Sequence, residues 1–275
     1  MKIREIIDRL EKFHHPVDPE HTCDVFKCGD PDAECTGIAV TCFASIDIIK
    51  KAAERGLNLI ICHEPTFYTH EDQNDWLDGN KVYEAKKKLL DDTGIVIWRD
   101  HDHMHAGPGG KYDFPDYIFC GIMKTLGWDN YLVGSAKKPL LYEVPETTVR
   151  ELTKEIAAKL NLNGARIIGD PDGKVKKVFI CEHITGRDHD SKKIMLTDKE
   201  DYDVLIPLET IDWTILEYVT DSVCMGRSRA VISVGHFNFE GAGMKYMAQW
   251  LPEVIGCDVS VEYIQCGDIY SYIID

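Results

Sequence analysis

The sequence has no run of apolar residues long enough to span a membrane as a helix. Such a span needs roughly 18 consecutive apolar residues. The N-terminal stretch MKIREIIDRLEKF carries a charge every few positions, so it also lacks the apolar centre of a signal peptide. We therefore expect a cytoplasmic protein with no membrane partner.

Positive charge is scarce. The 275 residues include 31 Lys and Arg against 47 Asp and Glu, which gives a formal net charge of −16. Such a chain repels a phosphate backbone, so we expect no nucleic-acid partner. A small-molecule anionic substrate stays compatible with this charge, because a bound divalent metal ion reverses the local field.

Several motifs that carry chemistry are missing. Ten cysteines are present but none are spaced as Cys-x-x-Cys, so a cysteine zinc knuckle is not supported and most are expected to be reduced, buried hydrophobes. No Gly-x-Ser-x-Gly elbow occurs. The glycine-rich stretch AGPGGK at 106–111 has no Ser or Thr after its lysine, which predicts a loop and not a phosphate cradle.

Short β-branched runs alternate with helical patterns along the chain. TGIAVTCFA predicts a strand before a helix that Ser45 caps, and NLIIC predicts a strand before a helix that Gly94 ends. This alternation is typical of a largely parallel sheet. After a restart near residue 138, Pro145 and the following threonines are expected to open another helix, and HITGRDHDSKK at 183–193 is expected to be a solvated loop.

The length favours two domains. We predict an α/β fold of two related α/β domains with mainly parallel strands, residues 1–138 and 139–275, and a metal site in the cleft between them. The terminal stretches DVSVEYI and IYSYII are expected to be strands, and whether they pack back on the first domain is left open.

Three predicted strands end in residues of the metal-ligand type. NLIIC leads into His63 and Glu64, IVIW leads into HDHMH at 101–105, and RAVISV leads into His236, with Glu240 four residues later. Open α/β sheets place their sites just outside the carboxyl ends of strands. Imidazole and carboxylate together suit zinc, iron, manganese or nickel better than magnesium or calcium.

The sequence leaves the local geometry of these motifs open. An extended HDHMH would put His101, His103 and His105 on one face, because strand side chains alternate with period two. His236 and Glu240 could meet across one helical turn, or as a strand end and the first turn of a helix.

Each motif also has an ordinary structural explanation: a solvated loop, a core histidine, a surface cluster or an acidic first helical turn. The coincidence of position at three strand ends favours the metal site. His14, His15, His21, His183 and His189 lie in polar stretches and are expected to be exposed, although His183 follows a predicted strand and could point into the cleft.

The three motifs in this order resemble the Nif3-like family of dinuclear-metal proteins, whose members are often named GTP cyclohydrolase 1 type 2 homologues. His63 matches the first histidine of the family's His-His-Pro, His101 matches the histidine that opens the second motif, and His236 with Glu240 matches the C-terminal pair. Glu64 stands where the family usually has a second histidine.

His105 likewise stands where the family usually has an aspartate, so the two departures exchange an imidazole and a carboxylate. The resemblance implies a toroidal homo-hexamer with two metal ions held between the domains. Because a carboxylate can bridge two metals and a neutral imidazole cannot, we expect one or two divalent transition-metal ions per chain.

The expected function is that of a metal-dependent hydrolase acting on a purine nucleotide or a phosphoester. The metal ligands would be His63, Glu64, His101, His105, His236 and Glu240, with His101 and Glu240 also serving catalysis. The alternative is a non-catalytic metal store, chaperone or ring-shaped regulatory scaffold, which would use the same ligands. A third interpretation treats the histidines as surface residues of an interaction protein that binds no stoichiometric metal.

Overall fold

The computed structural model describes residues 1–109, 116–134 and 140–273. They form two compact units, one of Met1–Gly121 with Gly243–Cys266 and one of Ile122–Ala242 with Gly267–Asp275. The predicted boundary near residue 138 lies outside the described residues. Among the helices that the structure describes, none has both the length and the apolar character needed to cross a bilayer.

Helices and strands alternate along most of the chain. The helices are α1 Ile3–Phe13, α2 Ile46–Glu54, α3 Lys81–Thr93, α4 Asp102–Ala106, α5 Tyr117–Leu126, α6 Val149–Leu160, α7 Asp190–Glu200, α8 Ile215–Cys224 and α9 His236–Ile255. The strands are β1 Phe26–Cys28, β2 Ile38–Thr41, β3 Leu59–Cys62, β4 Val96–Arg99, β5 Leu141–Thr148, β6 Arg166–Gly169, β7 Lys174–Cys181, β8 Val204–Pro207, β9 Ala230–Ser233 and β10 Val261–Tyr263.

The sheet of the first unit has the order β1-β4-β3-β2-β10, and every pair except β1–β4 is parallel. All residues of β2, β3 and β4 are buried, as expected for parallel strands covered on both faces. The predicted helix ends are confirmed here. The Ser45 hydroxyl accepts a hydrogen bond from the Ile48 amide at 3.2 Å, and Gly94 adopts a left-handed φ of +63° after α3.

The sheet of the second unit has the order β5-β7-β8-β9-β6. Strands β7, β8 and β9 are parallel, whereas β5 and β6 pair antiparallel at the two edges. The two α/β units confirm the predicted fold class. The parallel strands matter most for function, because their carboxyl ends meet at one edge of each sheet.

Three local predictions for these segments are wrong in whole or in part. A threonine opens α6 as predicted, because the Thr148 hydroxyl accepts from the Glu151 amide at 3.3 Å, but Pro145 lies inside β5 at a register irregularity, where a missing N–H is tolerated. Within the described residues, IYSYII forms no strand and the chain's last strand is β10. Residues 190–193, expected in a loop, begin helix α7. The buried Asp190 carboxylate anchors that start by accepting from the Gly186 amide at 2.8 Å.

Candidate metal centre

The site in the first unit is built at the carboxyl ends of neighbouring parallel strands. Cys62 at the end of β3 lies opposite Arg99 at the end of β4, so His63 and His101 follow adjacent strands. The backbone amides of His63 and Glu64 both donate to the Cys42 carbonyl, at 2.9 and 2.8 Å, just beyond β2. The end of β3 is thus fixed by its neighbour, and its polar residues are presented in a set orientation.

HDHMH is not extended, so the geometry that would align all three of its histidines on one face does not occur. Residues 102–106 form α4, and the His105 amide donates to the His101 carbonyl at 3.2 Å. One helical turn places His101 and His105 on the same side, four residues apart. His103 lies on another side of the turn, where its Nδ1 is 2.8 Å from an oxygen of Asp24.

His101 and His105 converge with His63. The ring centroids are 4.5 Å apart for His63 and His101, 5.0 Å for His63 and His105, and 4.9 Å for His101 and His105. One nitrogen from each ring lies within 4.8 Å of the others. Two ligands about 2.1 Å from a tetrahedral ion lie roughly 3.4 Å apart, so a small inward movement of the three rings would bring all three nitrogens onto one ion.

Each of the three rings is held through its Nδ1 by an oxygen atom. His63 Nδ1 donates to the Asp100 carbonyl at 3.1 Å, and His101 Nδ1 to the Asp102 carboxylate at 2.9 Å. His105 Nδ1 donates to the Asp116 carboxylate at 2.7 Å. This arrangement fixes the tautomer and leaves Nε2 as the metal-binding nitrogen, and it is the usual outer-sphere pattern around metal-bound histidine.

Electrostatics keep His101 in the form that binds metal. Burial, and then the charge of neighbouring His105, lower the pKa of His101 below its ordinary value, although the hydrogen bond to Asp102 acts in the opposite direction. The pKa of Asp102 is also low: burial raises it, but hydrogen bonds from His101, Thr22 and the Cys23 amide outweigh burial. A neutral imidazole beside an ionised carboxylate is the state that a divalent cation requires.

Arg99, the last residue of β4, holds the backbone around the site in place. Its side chain is fully buried, its Nε donates to the His63 carbonyl at 3.0 Å, and one of its terminal nitrogens donates to the His70 carbonyl. The ring of exposed His70 lies edge-on to that of His101, with centroids 5.3 Å apart. Arg99 therefore fixes the backbone of two histidines at the site.

Glu64 is buried next to His63, with a carboxylate oxygen within 4.8 Å of a His63 nitrogen. It occupies the position where the resemblance implies a second histidine. With Glu64 at that position, the neighbouring donors are an imidazole nitrogen and a carboxylate oxygen.

In the second unit, three adjacent parallel strands each deliver a donor. His183 follows β7, Glu209 follows β8 and His236 begins α9 after β9. The Glu209 carboxylate is 3.2 Å from His183 Nδ1 and 3.4 Å from His236 Nδ1. Gly235, with a left-handed φ of +96°, turns the chain from β9 into the helix.

His236 and Glu240 meet across the first turn of α9. His236 Nε2 lies 2.8 Å from an oxygen of the buried Glu240 carboxylate. Of the two geometries left open by the sequence, the structure has the helical one. His236 is therefore held between two carboxylates, Glu209 at Nδ1 and Glu240 at Nε2.

The residues that orient the ligands were not identified from the sequence. Asp102 and Asp116 stand close to the histidines along the chain, and their position near HDHMH was the only signal available. Glu209 is the clearer case, because it directly follows the apolar run VLIPL, just as the other donors follow apolar runs.

An Asp116→Asn substitution isolates the role of one outer-sphere carboxylate. Asp116 Oδ1 also accepts from the Ile118 and Phe119 amides at 2.9 and 3.2 Å and so caps α5, a function that asparagine retains. We expect metal affinity to fall about 10–100-fold with an unchanged melting temperature of the metal-free protein. Chelator competition measures the metal affinity, and thermal melts measure the melting temperature. An unchanged metal affinity would contradict the role of Asp116.

The whole chain matches known proteins. A family model described as Duf34/NIF3 (NGG1p interacting factor 3) matches residues 1–267. A Clostridium perfringens protein named GTP cyclohydrolase 1 type 2 homolog is 26% identical over 274 residues, covering 94% of this chain and 94% of that protein. A Clostridium acetobutylicum protein of the same name is 22% identical over 264 residues, covering 91% and 90%.

Solved structures show the same fold. Staphylococcus aureus protein SA1388 has 19% sequence identity and a TM-score of 0.68, with 99% of each chain covered. A Bacillus cereus protein related to NIF3 has 14% identity and a TM-score of 0.67, again with 99% of each chain covered.

Proposed function

Since the chain belongs to the Duf34/NIF3 family, we propose that it is a metal-dependent hydrolase of a small anionic substrate, with a divalent transition metal held by His63, His101 and His105. Glu64, His236 and Glu240 are further proposed ligands, which the family resemblance implies for a centre of one or two ions. Zinc, iron, manganese and nickel all suit these donors.

The observation that supports this proposal is the orientation of the three histidines of the first unit. Each Nδ1 is engaged by an oxygen, and the rings converge at 4.5–5.0 Å. Three oriented nitrogens occupy three positions of a metal ion, which is the number of protein ligands that catalytic zinc sites use.

The bound ion would supply Lewis acidity, which activates water and polarises the bond to be broken. The residues of the chain supply binding and proton transfer. Glu240 is a buried carboxylate beside His236 Nε2, which suits a proton acceptor whose position is fixed. We assign His101 a positioning role in catalysis: with its Nδ1 held by Asp102 and its Nε2 on the metal ion, it would fix the ion against the reacting group.

The relatives suggest the substrate class. Two of them carry the name GTP cyclohydrolase 1 type 2 homolog, so GTP and simple phosphoesters are the substrates to test first. In a chain with a formal charge of −16, the metal ion is the natural positive charge for an anionic group. A homo-hexamer and a cytoplasmic location are further proposals that rest on the resemblance and on the composition.

The test is hydrolysis of GTP and of p-nitrophenyl phosphate by protein loaded with zinc, manganese, iron or nickel. We expect turnover with at least one metal, and we expect Glu240→Gln to reduce kcat at least about 100-fold, as removal of a proton-transfer group does. Glu253→Gln is the matched control, because Glu253 is an exposed residue of the same helix.

Equal activity of Glu240→Gln and wild type would contradict the catalytic role of Glu240. An absence of turnover on both substrates, with tight metal binding intact, would favour a metal store or regulatory scaffold over a hydrolase.

A further inference from the structure

A second group of polar side chains lies buried in the first unit, outside the set His63, His101 and His105. It consists of His14 after α1, Asp24 before β1, Asp100 after β4 and His103 in α4, each at most 6% exposed. We call these four residues the inner cluster. The expectation that His14 is exposed is wrong, because the chain at 13–15 pairs with 107–109 directly after α4: the His15 amide donates to the Gly107 carbonyl at 2.8 Å and the Gly109 amide to Phe13 at 2.7 Å.

The two sets of side chains share the segment 100–105 and use alternate sides of it. His101 and His105 converge with His63, while His103 contacts Asp24, and an oxygen of Asp100 is 3.7 Å from His14 Nε2. Single ligand-type atoms of Asp24, Asp100 and His103 lie within 4.8 Å of one another. The rings of His14 and His103 are 5.6 Å apart.

Within the inner cluster, both carboxylate oxygens of Asp24 accept hydrogen bonds. One oxygen accepts from the His101 and Asp102 amides at 2.7 and 3.1 Å, and the other accepts from the amide and Nδ1 of His103, both at 2.8 Å. These bonds hold the pKa of Asp24 below its ordinary value despite its burial. With Nδ1 donating to Asp24, Nε2 is the nitrogen of His103 that can bind a cation, as in carboxylate–histidine–metal arrangements.

The side chains of Asp100 and His14 differ from that of Asp24 in their hydrogen bonding. Within the described part of the chain, neither carboxylate oxygen of Asp100 and neither ring nitrogen of His14 makes a hydrogen bond, and all four atoms are inaccessible to solvent. Burying a carboxylate with no hydrogen bond costs several kcal/mol unless a cation compensates.

The separation of 3.7 Å between His14 Nε2 and the Asp100 oxygen favours a metal ion over a proton. It is too long for a hydrogen bond, whose donor and acceptor lie about 2.7–3.2 Å apart. Two ligands placed about 2.1 Å from a tetrahedral ion lie roughly 3.4 Å apart, close to the observed value. Nitrogen and carboxylate donors of this kind are those that zinc and similar ions prefer.

We propose that the inner cluster is a separate, structural metal site, in which His14, Asp100 and His103 bind a divalent transition-metal ion and Asp24 orients His103. The ion neutralises Asp100 and ties the end of α1 to the segment that carries His101 and His105. Because it is enclosed by protein, it exchanges slowly and takes no part in turnover. This site is independent of the proposed hydrolase activity.

The test uses the full-length protein, purified without a histidine tag and loaded with zinc, with zinc per chain measured after brief native dialysis against EDTA. Wild type is expected to keep one slowly exchanging ion that is released on unfolding. His14→Gln and Asp100→Asn are expected to lose that ion, whereas His15→Gln, at the neighbouring position, keeps it. The double variant His63→Gln, His105→Gln is expected to keep it as well.

Two results would overturn the inner site. One is folded His14→Gln and Asp100→Asn protein with the same retained zinc as wild type. The other is a double variant His63→Gln, His105→Gln that retains none, and this result decides the matter even if the first two variants fail to fold. Loss of hydrolysis or of rapidly exchanging zinc leaves the inner site untouched, so the two proposals fail separately.

Discussion

Replacing His105 with glutamine is expected to weaken zinc binding at the three-histidine site by more than about 100-fold, since outer-sphere changes alone cost 10–100-fold. The substitution removes one of three converging nitrogens and breaks the hydrogen bond to Asp116. Glutamine is close in size and polar, so the fold should be retained. The measurement is competition with a chromogenic chelator for the rapidly exchanging zinc.

His21→Gln is the matched control for this substitution. His21 is an exposed histidine whose Nδ1 pairs with Asp18 on the surface, at 2.8 Å, so its loss should leave zinc affinity unchanged. If His105→Gln binds zinc as tightly as His21→Gln does, then His105 is not a ligand and the assignment of the site must change.

Arg99→Ala is expected to lower the free energy of unfolding by about 3 kcal/mol, because hydrogen bonds from a buried charged donor contribute about 1.5–3 kcal/mol each. Arg99 is fully buried and donates to the His63 and His70 carbonyls. Its loss also frees the backbone of His63, so metal affinity should fall together with stability. Denaturant melts of metal-free protein measure the free energy of unfolding, and chelator competition measures the metal affinity.

The control for Arg99 is Arg55→Ala. Arg55 is exposed and pairs with Glu262 at 3.0 Å on the surface, where ion pairs contribute at most about 1 kcal/mol. If Arg99→Ala lowers the free energy of unfolding no more than Arg55→Ala does, then Arg99 does not support the site.

The strand ends could be predicted because their signal is local. NLIIC and IVIW are short apolar runs, and the polar residues follow them directly in the chain. The caps of α2 and α3 were equally local, since each depends on one residue next to the helix: Ser45 at the start of α2 and Gly94 at the end of α3. These features were sufficient to predict the fold class and the position of His63.

The conformation of HDHMH could not be predicted in this way. Histidines at 101, 103 and 105 fit a strand face, but 101 and 105 also fit one turn of a helix. The choice is made by Asp24, which accepts three backbone amides at the start of α4 from a position nearly 80 residues away in the chain. A single sequence gives no indication of such a long-range partner.

The burial of His14 was missed for the same physical reason. His14 and His15 follow an amphipathic helix in a polar stretch, which suggests a surface position. Pairing with residues 107–109 encloses the first histidine and leaves the second partly exposed. The pairing partner lies beyond α4, so the local pattern around His14 carries no sign of it.

The most direct test of the metal centre is elemental analysis of untagged protein after zinc reconstitution, comparing wild type with the triple variant His63→Gln, His101→Gln, His105→Gln. We expect the triple variant to bind at least one zinc ion per chain fewer than wild type, with its far-ultraviolet circular dichroism unchanged. The same zinc content in both proteins, or no zinc in wild type, would contradict the three-histidine site.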